Sequence, residues 1–138
     1  MGPVIVSLHV ATGGAVGAAS GSRLRALLLG PLVHALGDVT PHQDIPSTRF
    51  EAASGAVAFL LIARSRGAFS PAAIGALAAS LPDVEHVLPG GRPRGRKLFP
   101  THRYPGLHRR GGLPAWLQLA AAAAIIVALT RPSPPPAP

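Results

Sequence analysis

Apolar stretches alternate with short polar or proline-rich segments along the chain. The apolar stretches cover residues 3–20, 24–37, 50–64, 71–81 and 113–130. Ser70 followed by Pro71 is typical of a helix N-cap with proline at the first helical position. Thr40-Pro41 and Ile45-Pro46 exclude a regular helix between the second and third stretches. The pattern predicts four to five short helices, with a loop rich in Pro, Gly and Arg over residues 89–112 before the last helix.

Hydropathy indicates that these helices belong to a membrane protein. The mean hydropathy is +0.36, and only 13% of the residues are charged, against about 25% in an average soluble domain. Residues 113–130 contain no charge and carry Trp116 near one end, as an interfacial anchor would. Gly13-x3-Gly17 is a small-x3-small pattern that lets membrane helices approach closely. We therefore predict an all-α, membrane-embedded bundle over residues 1–131, followed by a Pro-rich tail over residues 132–138.

Two features of this membrane prediction have alternatives. Residues 3–20 could be a signal peptide, but no positive charge precedes them, which favours a retained helix. The first four apolar stretches are short for independent spans, so they are either short or tilted spans or buried core helices.

Positive charge is concentrated before the last helix. The chain carries a net charge of +8, and seven of its 13 basic residues lie between Arg92 and Arg110. Under the positive-inside rule, loop 92–110 is expected on the cytoplasmic side, near membrane lipid. A nucleic-acid partner is disfavoured because only Phe99 and Tyr104 offer aromatic rings there. The absence of cysteine excludes disulfides, cysteine zinc sites and thiol catalysis.

Histidines and acids are few and grouped. His34-x3-Asp38-x3-His42-x-Asp44 is the densest group, and Glu51 is the one acid outside the groups. If the helices alternate in direction, the groups emerge at the same end of the bundle. Imidazole and carboxylate together suit Zn, Mn or Fe. The predicted metal ligands are His9, His34, Asp38, His42, Asp83, His86, His102 and His108.

The remaining polar residues receive supporting roles. Asp38, Asp44 or Glu85 would act as a general base or would orient a ligand. Arg103 and Arg109 would bind an anionic substrate. Simpler interpretations exist for several of these residues. His34 and Asp38 could form a salt bridge at the end of a helix, and His42 and Asp44 could stabilise a backbone turn. His102 and His108 could be surface histidines.

These motifs resemble those of a known family. Pro82-Asp83-Val84-Glu85-His86 resembles the "PDIDH" element of the LexA-binding, inner-membrane-associated hydrolases, with Glu85 in place of an aspartate. His9-x3-Gly13-x3-Gly17 is similar to the opening of that family. His102-Arg103-x4-His108 is similar to its "HRxxxH" element, with one more residue of spacing. The resemblance implies a small metal-dependent hydrolase of the bacterial inner membrane.

Two functions follow as hypotheses. In the first, the chain is a hydrolase at the membrane surface, in which a divalent metal, zinc before manganese or iron, activates water toward a phosphoester or another anionic substrate. In the second, it is a non-catalytic membrane scaffold, whose polar groups cap helices and whose basic loop touches lipid or a partner.

Overall fold

The computed structural model describes residues 5–87, 95–107 and 111–132. Five helices of ten or more residues account for most of this part of the chain, and they match the five apolar stretches. A 3-10 turn and two short helices lie between the fourth and the last of them. The elements are α1 (Val6–Ser20), α2 (Arg23–Val39), α3 (Thr48–Arg66), α4 (Pro71–Ser80), the 3-10 turn (Leu81–Asp83), α5 (Val84–Val87), α6 (Pro100–Arg103) and α7 (Ala115–Thr130).

Serine side chains determine where three of the helices begin. The hydroxyl groups of Ser22, Ser47 and Ser70 each accept a hydrogen bond from the backbone N–H three residues later. Pro71 occupies the first position of α4, as predicted. Pro31 lies inside α2, which continues through it.

The central helix of the bundle is α4, which is short, alanine-rich and packed against both α1 and α2. A Cβ atom at Gly13 or Gly17 would collide with α4, at Gly75 and Pro71 respectively. A Cβ atom at Gly30 of α2 would meet Ala78. The close approach predicted from Gly13-x3-Gly17 is confirmed, and its partner is α4.

The long helices run alternately up and down. At one end, the backbone N–H of Val6 donates to Glu51 at 2.6 Å, which joins the start of α1 to the start of α3. At the other end, Nε of Arg66 donates to the carbonyl of Leu129, which joins the ends of α3 and α7. The apolar core lies toward this second end and consists of Val10, Ala58, Ile62, Ala72, Ala76 and Leu129.

The all-α class and the number of main helices are confirmed for the described residues. Two details differ from the prediction: residues 100–103 of the expected loop form α6, and an isolated parallel bridge pairs His42 with Leu113. Within the described ranges, none of the helices combines the length and the hydropathy that crossing a membrane requires. Membrane embedding therefore stays a prediction. Residues 92–94, residues 108–110 and all of the predicted tail except Pro132 lie outside the described residues.

Candidate metal centre

Six of the predicted ligands come together at one end of the bundle. They are contributed by the start of α1, the last turns of α2, and the segments that follow α4. Because α1 runs away from this end while α2 and α4 run toward it, residues remote in sequence become neighbours. The six residues are His9, His34, Asp38, Asp83, His86 and His102.

Three overlapping groups can be drawn within this cluster. In each group, one nitrogen or oxygen atom per residue lies within 4.8 Å of the others, as metal ligands do. The groups are His9 with His34 and Asp83, His34 with Asp38 and His102, and Asp83 with His86 and His102. Every member of the cluster therefore belongs to at least one group that could hold a cation.

The tightest group has the dimensions of a metal site. Nε2 of His34 lies 3.1 Å from Nε2 of His102 and 3.1 Å from Oδ2 of Asp38. Nε2 of His102 lies 3.3 Å from the same oxygen. Ligands at about 2.0–2.1 Å from a tetrahedral zinc ion lie about 3.3 Å from one another. The three atoms could thus share one small divalent cation with little movement.

The outer nitrogens of both histidines have acceptors as partners. Nδ1 of His34 donates to the carbonyl oxygen of Ala79 at 2.8 Å, and Nδ1 of His102 donates to Oε1 of Glu85 at 2.6 Å. In the neutral imidazoles, both Nε2 atoms then present lone pairs toward each other and toward Asp38. In the absence of metal, a proton on Nε2 of His34 can bridge to Asp38, and this hydrogen bond raises the pKa of His34. A divalent cation would replace that proton, and metal-binding histidines are commonly held by a partner on the outer nitrogen in this way.

All five acids of this basic chain are withdrawn from solvent at the same end. The relative exposures are 0% for Asp38, 2% for Glu51, 4% for Asp83 and 8% for Glu85, and the Asp44 side chain is 11% exposed. Carboxylates are almost never buried unless they are paired. Histidine nitrogens lie 2.6–3.7 Å from four of these acids, and histidines are neutral when they bind metal.

The environment changes the pKa values of several groups in the cluster. Burial lowers the pKa of His9 and raises that of Asp83, although three histidines oppose the rise at Asp83. Burial also disfavours the charged form of His34, but the hydrogen bond to Asp38 and the charge of Asp83 outweigh it, so the pKa of His34 is raised. The C-terminal ends of α2 and α4 point at the cluster, and their dipoles favour a cation there.

Glu85 was predicted as a catalytic base, and it lies behind His102. Burial opposes its charge, but the Leu98 N–H at 2.6 Å and the His102 imidazole both stabilise the carboxylate and hold its pKa below the ordinary value. The position of Glu85 fits a carboxylate that orients a metal-binding histidine better than it fits a general base.

His42 and Asp44 form a separate pair outside the three groups. Nε2 of His42 lies 3.3 Å from Oδ1 of Asp44, and Nδ1 of His42 lies 2.7 Å from the carbonyl oxygen of Thr40. His42 nevertheless faces the cluster across a cavity of about 260 Å³, which His9, Thr12 and Gln118 also line. The pair is therefore placed beside the metal ligands rather than among them.

The predicted anion-binding residues are only partly described. Arg103 is exposed, and its guanidinium lies 5.6 Å from the centre of the Tyr104 ring. His108 and Arg109 lie outside the described residues.

Four contributors to the cluster were missed from the sequence. The Thr101 hydroxyl donates to Oδ2 of Asp38, and the Ala79 carbonyl orients His34. Gly37 leaves room for His9, since a Cβ atom there would lie 2.5 Å from Cε1 of the imidazole. The ring of Phe99 stands edge-on to His34. Thr101 and Gly37 each adjoin a predicted ligand, which is the one sequence signal that could have indicated them.

Comparison of the chain with protein-family profiles, with curated proteins and with solved structures finds no match.

Proposed function

We propose that this chain is a metal-dependent hydrolase with its active site at the His/Asp cluster. The observation that carries the proposal is the inner group of His34, Asp38 and His102, in which three potential ligand atoms face one another at 3.1–3.3 Å while both outer nitrogens are bonded elsewhere. A divalent cation held there would act as a Lewis acid toward water and toward a phosphoryl or carbonyl oxygen. Zinc, manganese and iron all suit these ligands.

The cavity beside His9 is the proposed substrate pocket. Its lining combines leucine side chains with the polar groups of Thr12, Thr40 and Gln118, a mixture that is typical of pockets for small organic ligands. The His42–Asp44 pair borders this space and is placed to accept or donate a proton. Asp38 and Glu85 are assigned to ligand binding and ligand orientation instead.

An anionic substrate, a phosphoester before others, fits the charge of the chain. Arg103 follows a predicted ligand directly and extends into solvent, where it could meet an anion approaching the cluster. The net charge of +8 would favour the approach of such a substrate.

The proposed location is the membrane surface, as the resemblance to the inner-membrane hydrolases implies. Large apolar side chains are exposed in a stripe along α2, with exposed fractions of 60–65% at Leu24, Leu28, Leu32 and Leu36. Exposed apolar patches of this kind mark contact with a membrane or with another protein. Membership in that family rests on the Pro82–His86 element and on His9-x3-Gly13-x3-Gly17.

The deciding experiment measures metal content and hydrolysis together. The purified full chain is stripped with a chelator, reloaded with Zn²⁺ or Mn²⁺, and assayed on bis-p-nitrophenyl phosphate and on p-nitrophenyl acetate. We expect metal-dependent turnover on at least the phosphodiester. We also expect loss of metal and turnover in His34→Ala, and retention of metal with lowered turnover in His42→Ala.

The scaffold function predicts a different pattern. A scaffold would bind no stoichiometric metal, and His34→Ala would lower the stability of the fold without changing any activity. Metal-free wild-type protein after reloading would therefore remove the hydrolase proposal.

A further inference from the structure

The cavity beside His9 has an apolar mouth and a polar inner end. Leu36 and Leu113 line the cavity and are 65% and 42% exposed, so they form part of its mouth. His9 and His42 line it as well, but both side chains are buried, so they form its inner end. A molecule that fills this cavity therefore has its polar part at the inner end and its apolar part at the mouth.

The mouth continues into the leucine stripe of α2. Leu36 is the last residue of that stripe, whose members follow one another at intervals of four residues and therefore lie side by side on the helix surface. Leu113 lies three residues before Trp116, whose side chain is 69% exposed at the start of α7. The cavity thus opens onto exposed apolar surface of the kind that contacts lipid or another apolar partner.

The polar groups in the walls of the cavity are already hydrogen-bonded. The hydroxyl groups of Thr12 and Thr40 each donate to the backbone carbonyl four residues earlier, at 2.7 and 2.8 Å. The side-chain amide of Gln118 donates to the carbonyls of Gln43 and Leu113, both at 2.9 Å. Because these donors are used within the protein, the walls between the mouth and the inner end favour an apolar occupant.

The inner end of the cavity adjoins the candidate metal centre. Nε2 of His9 lies 3.5 Å from Oδ1 of Asp38, and the His9 ring stacks on the His34 ring with 4.1 Å between their centroids. A head group at the inner end would therefore lie one side chain away from the inner group of ligands. Imidazoles and a nearby cation favour an anionic head group there, such as a phosphoryl group.

The size of the cavity limits how much of a ligand it can enclose. Its volume is about 260 Å³, below the range of about 300–1,000 Å³ that is typical of pockets for drug-sized molecules. It has room for a head group and the first carbons of a chain, and a longer chain would lie outside, on the exposed leucines. Each methylene group that leaves water for an apolar surface strengthens binding about 4-fold.

We propose that the cavity binds a lipid-like phosphoester, with the phosphoryl head at His9 and His42 and the alkyl chain against Leu36 and Leu113. The inference rests on the proposed function and names its substrate class. The apolar mouth selects for the alkyl chain, and the buried histidines select for the head. A phosphoester without a chain would leave the mouth unfilled and should be a poor substrate.

A series of soluble phosphodiesters with one leaving group tests the proposal. Methyl, butyl and hexyl p-nitrophenyl phosphate are assayed with the Zn²⁺-reloaded full chain, at concentrations at which they do not aggregate. Isothermal titration calorimetry measures the binding of methylphosphonate and hexylphosphonate, which are not hydrolysed. From methyl to hexyl, we expect kcat/KM and phosphonate affinity each to rise about 10-fold or more, through the added apolar contact.

Two matched double variants locate the contact. Leu36→Ser with Leu113→Ser removes the apolar mouth, so it should lose the dependence on chain length while keeping the wild-type kcat/KM for the methyl ester. Leu24→Ser with Leu117→Ser is the control, because these leucines are 65% and 40% exposed and do not line the cavity. The control should keep the full dependence on chain length.

The outcomes separate the inference from the function on which it rests. Hydrolysis at equal rates across the series overturns the lipid-like substrate while the hydrolase proposal survives. A dependence on chain length that the mouth variant retains, or that the control also loses, does the same. Tighter binding of hexylphosphonate without hydrolysis of any ester overturns the hydrolase proposal and leaves the ligand class standing. Absence of both hydrolysis and phosphonate binding overturns both, and the wild-type series decides the matter even if the mouth variant fails to fold.

Discussion

Oε1 of Glu85 accepts a hydrogen bond from Nδ1 of His102 at 2.6 Å, across a separation of 17 residues in sequence. The bond fixes which nitrogen of the imidazole carries the proton and turns Nε2 toward Asp38. Carboxylates that orient a metal-binding histidine in this way raise the basicity of the ligand as well as fixing its direction. The pair also joins the segment after α4 to α6.

Replacement of Glu85 by alanine is therefore expected to weaken metal binding. We expect the affinity for Zn²⁺ to fall about 10–100-fold, because His102 would lose its orienting partner. Competition with a chromophoric chelator measures the change. Glu85→Gln, whose amide oxygen can still accept from His102, should lose less, and equal affinities for the wild type and Glu85→Ala would contradict the orienting role.

Gly37 is expected to control the position of His9. A Cβ atom at Gly37 would lie 2.5 Å from Cε1 of His9, and the movable partner is the imidazole rather than the backbone. Gly37→Ala should thus displace His9 and lower Mn²⁺ affinity by about 10-fold, with α-helix content unchanged. Isothermal titration calorimetry provides the measurement. Gly106→Ala, where nothing lies within 4 Å of the new Cβ atom, is the matched control.

Gly17 is expected to matter for stability, since its Cα faces the backbone of Pro71 at the start of α4. Gly17→Ala would force α1 and α4 apart and should lower the free energy of unfolding by about 1–3 kcal/mol. Urea denaturation followed by circular dichroism tests this, again with Gly106→Ala as the control. An unchanged midpoint would show that the helices can separate at no cost.

Stability should fall as the pH rises from about 4.5 to 7, because burial raises the pKa of Glu51 to about 7 from an ordinary 4.5. A carboxyl group with a raised pKa in the folded state binds its proton more tightly there than in the unfolded chain. Its stabilising contribution is complete below pH 4.5 and is lost between pH 4.5 and 7. The loss amounts to at most about 3 kcal/mol.

Glu51→Gln isolates this contribution from those of the other titrating groups. The variant keeps an acceptor for the Val6 N–H but carries no charge. In chelator-treated protein, its midpoint in urea should match that of the wild type at pH 4 and exceed it at pH 8. A wild type that is the more stable of the two at pH 8 would refute the assignment.

The leucine stripe on α2 is expected to mediate contact with lipid. Leu28 and Leu32 are 63% and 60% exposed, so serine at both positions should leave stability nearly unchanged. Binding to neutral phosphatidylcholine vesicles should weaken about 10-fold or more through the lost apolar area. Sedimentation with vesicles measures the fraction of protein bound. Arg25→Gln removes a charge but no apolar surface and should bind as the wild type does.

The sequence by itself determined the helices and the residues from which a metal centre could be made. Serine caps and Pro71 act within one helical turn, and the prolines at 41 and 46 exclude a helix by local sterics. These helix boundaries can therefore be predicted without knowing which segments pack against them. The grouping of histidines with acids is likewise a property of the chain. Alternating helix directions were sufficient to place His9, His34, Asp83 and His102 at one end.

Only the tertiary structure decided which of these residues share a site and what supports them. His42 and Asp38 lie four residues apart, yet one borders the cavity while the other sits among the ligands. Glu51, isolated in sequence, is buried against the start of α1. These outcomes depend on distances of a few ångströms between helices, and those distances follow from contacts such as Gly13 and Gly17 against α4. Contacts between remote segments determine the orientation of each imidazole, and this orientation cannot be predicted from the spacing of the histidines along the chain.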